Sequence, residues 1–86
     1  MQLTVKMRGR DYTVECYRVT HFIILREGDR VLTTDSLTRE LCLAEVRDVD
    51  PWHIQVERVM PGAGGVHWDI SPGDLKRGVY KIEDMR

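Results

Sequence analysis

Two stretches at the start of the chain alternate between apolar and polar residues. In QLTVKMR, Leu3, Val5 and Met7 fall on one side and Thr4, Lys6 and Arg8 on the other; in DYTVECY, Tyr12, Val14 and Cys16 form the apolar row. A period of two is that of a half-buried strand. Between them Gly9-Arg10 reads as a two-residue turn, with glycine first as a type II′ turn requires. That register sets Arg8 against Asp11, Met7 against Tyr12, Val5 against Val14 and Leu3 against Cys16, and it puts the apolar residues on one face. HFIILREGDRVLTTD repeats the device, with Gly28-Asp29 as the turn, Glu27 opposite Arg30 and Leu25 opposite Leu32. The run FIIL does not alternate, which predicts a strand covered on both faces.

DSLTRELCLAEV supports two readings. Ser36 can cap a helix that places Leu37, Leu41 and Ala44 at helical spacing, or the same residues can enter a strand. The reading taken is a short helical turn near 36–40, inside a candidate helical segment 36–44, followed by a strand from about residue 41. Asp50 and Pro51 suit the first two positions of a type I turn, and HIQVERV follows as a strand. Val46 and Val49, three apart, predict a bulge in the strand paired with it. VHWDIS alternates Val66, Trp68 and Ile70 against His67, Asp69 and Ser71, and Pro72 ends it. SPGDLKRG reads as a tight turn with Leu75 tucked inward, and VYKIE as a last strand with Tyr80 and Ile82 on one face.

Up to eight short strands joined by tight turns predict an all-β, mainly antiparallel fold, a small twisted sheet or barrel. With 86 residues the chain makes one domain, 1–86. The order of signals from EGDRV through AEVRDVDPWHIQVERV and VHWDISPGDL to the final strand, about residues 28–83, resembles a Src-homology-3-like small barrel of the Tudor or KOW type. The resemblance implies binding of peptide, protein or nucleic acid rather than catalysis. Fold alone does not say which.

The three glycines of VMPGAGGVHW, Gly62, Gly64 and Gly65, raise the question of a phosphate-binding loop. A dinucleotide loop needs GxGxxG between a strand and a helix, and a Walker loop needs GK[ST]. Here a strand pattern follows instead, so the segment reads as a hairpin loop, and as a contact loop if it has a function. Composition narrows the rest. Thirteen basic against fourteen acidic residues give a net charge of −1. Residues 1–43 hold seven basic and six acidic groups, and 44–86 hold six and eight. Strong nonspecific nucleic-acid binding usually carries a basic excess. The longest apolar run is FIIL, far short of the roughly 18 residues a membrane helix needs, and the first residues lack the apolar core of a signal peptide. A cytoplasmic protein is therefore expected. In that compartment Cys16 and Cys42, outside any CxxC, read as small buried hydrophobes rather than a disulfide or a metal site.

Candidate chemistry is sparse. His67 and Asp69 share a strand face, but two ligands are too few for structural zinc. Cys16 lies in the apolar row, where a thiol is inert without a charged neighbour. Ser36 and Ser71 have local roles and lie in no GxSxG. No enzyme, no cofactor and no metal are expected. The leading expectation is a binding module that acts by protein–protein contacts, since a chain of this size suffices for an interface of roughly 800 Å² per partner. Small accessory or inhibitor proteins of phage and mobile elements have this character. Its candidate contacts are Trp52 at a turn, with Arg47, His53 and Arg58 nearby, and Gly62, Gly64 and Gly65 in the loop. The alternative is a nucleic-acid-binding small barrel that uses a basic face of Lys6, Arg8, Arg10 and Arg18 with Tyr17 as a stacking aromatic. An exposed edge strand offers a route to a homodimer.

Overall fold

The computed structural model describes residues 1–7, 9–34, 41–51, 53–59 and 67–85; for Met7, Asp84 and Met85 it describes the backbone alone. The alternating N-terminal stretches form the expected hairpin, β1 (Gln2–Met7) and β2 (Arg10–Arg18). Its register differs by two residues from the sequence reading: Met7 pairs with Arg10, Lys6 with Asp11, Val5 with Tyr12 and Leu3 with Val14. The turn therefore lies one position earlier, and Gly9, at φ 76°, sits second in it rather than first. A shift of two keeps every side chain on its face, and Asp11 meets a basic partner in either register. The pattern alone does not separate the two.

FIIL is not a strand. Phe22–Ile24 form a 3-10 turn, with the Leu25 N–H donating to the Phe22 carbonyl at 2.9 Å. The spacing of three puts Phe22 and Leu25 in the core and leaves Ile23 and Ile24 outside. The predicted pairing of Leu25 with Leu32 is therefore absent. Gly28 and Asp29 still turn the chain, but they dock on the next strand pair: the Gly28 N–H donates to the Val46 carbonyl and the Val46 N–H to the Asp29 carbonyl, both at 2.8 Å.

β3 (Arg30–Thr34), β4 (Leu41–Val49), β5 (Ile54–Arg58) and β6 (His67–Ile70) then form a meander. The strand reading from residue 41 holds, so no helix runs through 41–44; residues 36–40 lie outside the described part. The bulge expected from Val46 and Val49 is present, because the β4–β5 register shifts between Val46 and Asp48. PGDLKR is a six-residue helix, α1 (Pro72–Arg77), not a tight turn. Proline stands in its first turn, and the Asp74 carboxylate reaches back to accept from the Ser71 N–H at 2.8 Å.

The last strand, β7 (Tyr80–Met85), lies between β2 and β3. The seven strands run in the order β1-β2-β7-β3-β4-β5-β6, and all pairings are antiparallel. β1 and β6 are the edges, so the sheet is not closed into a barrel. Closure of the barrel type would need those edges to pair. Instead the sheet buries residues on both of its faces. Val19, Phe22, Leu25, Val31, Ala44, Val46, Ile54, Val56, Ile70 and Val79 form one cluster, with Trp68 and Leu75 packed against it. Val5, Val14, Cys16, Leu32 and Leu43 form the other, flanked by Leu3, Val59, Tyr80 and Ile82. Successive strand side chains point to opposite faces, so β3 sends Val31 to one cluster and Leu32 to the other. The strands covered on both sides are β3 and β4, not FIIL.

One half-buried ion pair ties the turn to the central strand. Asp29 Oδ2 accepts from the Arg26 N–H at 2.8 Å and lies 3.3 Å from Lys81 Nζ. Partial burial penalises the Lys81 ammonium, but hydrogen bonds to Asp29 and Tyr17 and the Asp29 charge outweigh it and raise its pKa above the ordinary lysine value. A raised lysine pKa contributes stability below the unfolded-state value and loses it as pH rises through the folded-state value. Asp29→Asn keeps an acceptor for the turn and removes the charge. It is expected to cost about 1 kcal/mol at pH 8, with a smaller gap to the parent protein at pH 11. Urea denaturation at the two pH values checks this; an equal gap at both would contradict it.

Candidate functional site

Three separate segments meet beside the first cluster. Residues 18–23 leave β2 and enter the 3-10 turn, residues 49–51 begin the β4–β5 turn, and residues 72–76 belong to α1. They enclose an open groove of about 910 Å³, within the volume range of ligand sites. Backbone and side-chain bonds fix its walls. The Val19 N–H donates to the Val79 carbonyl at 2.8 Å. Arg18 donates through Nη2 to the Lys76 carbonyl at 2.7 Å and the Leu75 carbonyl at 3.3 Å, tying the end of β2 to the last turn of α1. The Asp50 N–H donates to the His53 carbonyl at 3.1 Å and closes the β4–β5 turn. Ile23, 87% exposed, and Val49, 40% exposed, present apolar surface here beside exposed Pro51 and Pro72 and half-buried Leu75. So exposed an isoleucine beside an apolar groove is a feature that folding alone does not call for.

Of the residues expected to bind protein, the described ones, Arg47, His53 and Arg58, do not line this groove. Arg47 sits at the bulge, with Nε 2.7 Å from Glu57 Oε2 and Nη1 3.6 Å from Glu45 Oε1. Those two glutamates are direct cross-strand partners, so Arg47 offsets their repulsion. His53 is exposed, with Nδ1 4.0 Å from Asp50 Oδ1 on the groove wall. Arg58 is half-buried at the end of β5, opposite Ala44. Trp52, Gly62, Gly64 and Gly65 lie outside the described residues.

The alternative basic face does not form as a row. Lys6 shares its face with Asp11. By strand alternation Arg10 and Arg18 fall on the opposite, apolar face, at its two ends. Arg8 lies outside the described residues. Tyr17 is half-buried across from Lys81 rather than exposed for stacking. Of the described members of this set, Arg18 alone lines the groove.

Cys16 is fully buried, and its thiol pKa is raised by burial, with the Glu15 and Glu83 carboxylates adding to the rise. Cys42 is buried too, and the two are not joined as a disulfide. His67 and Asp69 are exposed on β6, and no group of metal-binding side chains gathers among the described residues. No helix of the described residues is long and apolar enough to cross a membrane. The chain matches no protein-family model, no curated protein and no solved structure in the comparisons.

Sequence reasoning missed Ile23, Val49, Leu75 and the two prolines as one surface. A local signal existed for the first: Phe22 and Leu25 three apart, with isoleucines between them, is the spacing of a turn that exposes its middle.

Proposed function

We propose that this protein is a non-enzymatic binding module that acts by protein–protein contacts through the groove bordered by Ile23, Val49 and Leu75. The observation that carries the reading is Ile23, held out at 87% exposure on a wall whose neighbours Phe22 and Leu25 are buried. A side chain so placed gains free energy only when something covers it, and burying it fully is worth about 2 kcal/mol. The groove's rigid walls lower the entropic cost of binding. An accessory or inhibitor protein of a phage or mobile element, which blocks a partner by occupying its surface, is a setting suited to so small a module.

Capture from a lysate of the source organism, with nuclease present, tests the reading when run in parallel with Ile23→Asp. A stoichiometric protein retained by the parent chain and lost from the variant is the expected result. Partners that vanish on nuclease treatment and ignore Ile23 would instead favour nucleic-acid binding.

A further inference from the structure

The charges around the groove are unevenly placed. Arg18, His21 and Lys76 stand on the walls formed by β2, the 3-10 turn and α1, and Asp50 stands on the wall formed by the β4–β5 turn. Arg18 spends its Nη2 donor on carbonyls at the end of α1, which holds its guanidinium at the rim. Neither Arg18 nor Lys76 has a carboxylate partner among the described residues, whereas the neighbouring Arg77 is paired with Asp74 at 2.8 Å. One side of the apolar floor is thus bordered by two cations that have no carboxylate partner among the described residues. A partner that is apolar alone would bury this edge unpaired, and a basic one would be repelled by it. A nucleic-acid backbone would match the cations but leave the aliphatic floor uncovered.

Resting on the protein-binding reading, we infer that the groove takes an acidic, amphipathic peptide segment of a partner protein. A large aliphatic or aromatic side chain enters between Ile23, Val49 and Leu75, and a neighbouring Asp or Glu meets Lys76 and Arg18. The apolar contact supplies most of the affinity. The charge pair sets orientation and association rate, and salt screens it.

A random peptide library displayed on phage and selected on the immobilised protein, with Ile23→Asp as the counter-selection, supplies the probe. Enriched peptides are then labelled with fluorescein and titrated by anisotropy. The expected sequences carry Asp or Glu beside a large apolar residue. Ile23→Asp is expected to raise Kd by at least about tenfold, and Lys76→Glu by about fivefold at low salt and less at high salt. Both positions are exposed, and equal thermal midpoints for the variants and the parent protein show that the fold is kept. Peptides that depend on Ile23 but lack acidic residues and ignore Lys76→Glu would overturn the inference and leave the protein-binding reading standing. No Ile23-dependent peptide at all would overturn both. Ile23-dependent sedimentation with phosphatidylglycerol–phosphatidylcholine vesicles would assign the groove to a lipid surface, and Ile23-dependent self-association would assign it to a second copy. Either outcome overturns the peptide assignment.

Discussion

Leu32→Ala is expected to lower the unfolding free energy by about 3 kcal/mol. A chain of this length holds only about 4–13 kcal/mol in total, so the variant should have a much lower denaturant midpoint with its slope unchanged. The size follows from position. Leu32 is fully buried and faces Leu43 across the β3–β4 pair and Tyr80 across the β3–β7 pair. β3 and β7 pair at two positions only, Val31 with Lys81 and Leu32 with Tyr80. Truncation therefore opens a void where the N-terminal hairpin and the meander are joined by the fewest backbone bonds, and the sheet on either side has little freedom to collapse into it. Ile23→Ala removes comparable apolar volume from an exposed position and is expected to change stability by less than about 0.5 kcal/mol. Urea denaturation of both variants decides the point. Similar losses for the two would contradict the burial assigned to β3.

Gly78→Ala is expected to cost about 2–3 kcal/mol and to disturb the groove as well. Gly78 ends α1 at φ 127° and ψ 112°, a conformation open to glycine and closed to residues with a Cβ. A Cβ there would also stand 3.1 Å from the Tyr80 hydroxyl oxygen and 3.3 Å from its ring. The two contributions separate in a double-mutant cycle. Gly78→Ala in a Tyr80→Leu background recovers the contact part and leaves the backbone part. Because the Gly78 N–H closes the helix on the Asp74 carbonyl at 3.0 Å, a shifted backbone moves Leu75 and Lys76. Peptides selected on the groove should bind Gly78→Ala more weakly even where the protein remains folded. Unchanged stability would contradict the geometry assigned to the end of α1.

The legible parts of this fold were those set by period two. Leu3, Val5, Val14 and Cys16 share a face as their alternation requires, and the spacing of Val46 and Val49 marked the bulge. Two kinds of information were not in the pattern. A register shift of two residues preserves every face, so the hairpin turn was placed one position late. The place of β7 depends on what lies between β2 and β3. Because residues 19–29 form a turn rather than a strand, they leave the edge of β3 open to a strand from far along the chain. α1 was hidden for a different reason. Serine, proline, glycine and aspartate serve tight turns and helix starts alike, and six residues are too few to show a helical period. Only the Ser71–Asp74 spacing set the helix apart. The groove was illegible because residues 18–23, 49–51 and 72–76 come together only after the sheet has formed.

The central position of β7 has a consequence for how the chain is made. Until residues 80–85 have left the ribosomal exit tunnel, the inner edges of β2 and β3 have no strand between them. Those bare edges are templates for strands of other nascent chains. The strand that joins the two halves of the sheet is thus also the one that covers their inner edges.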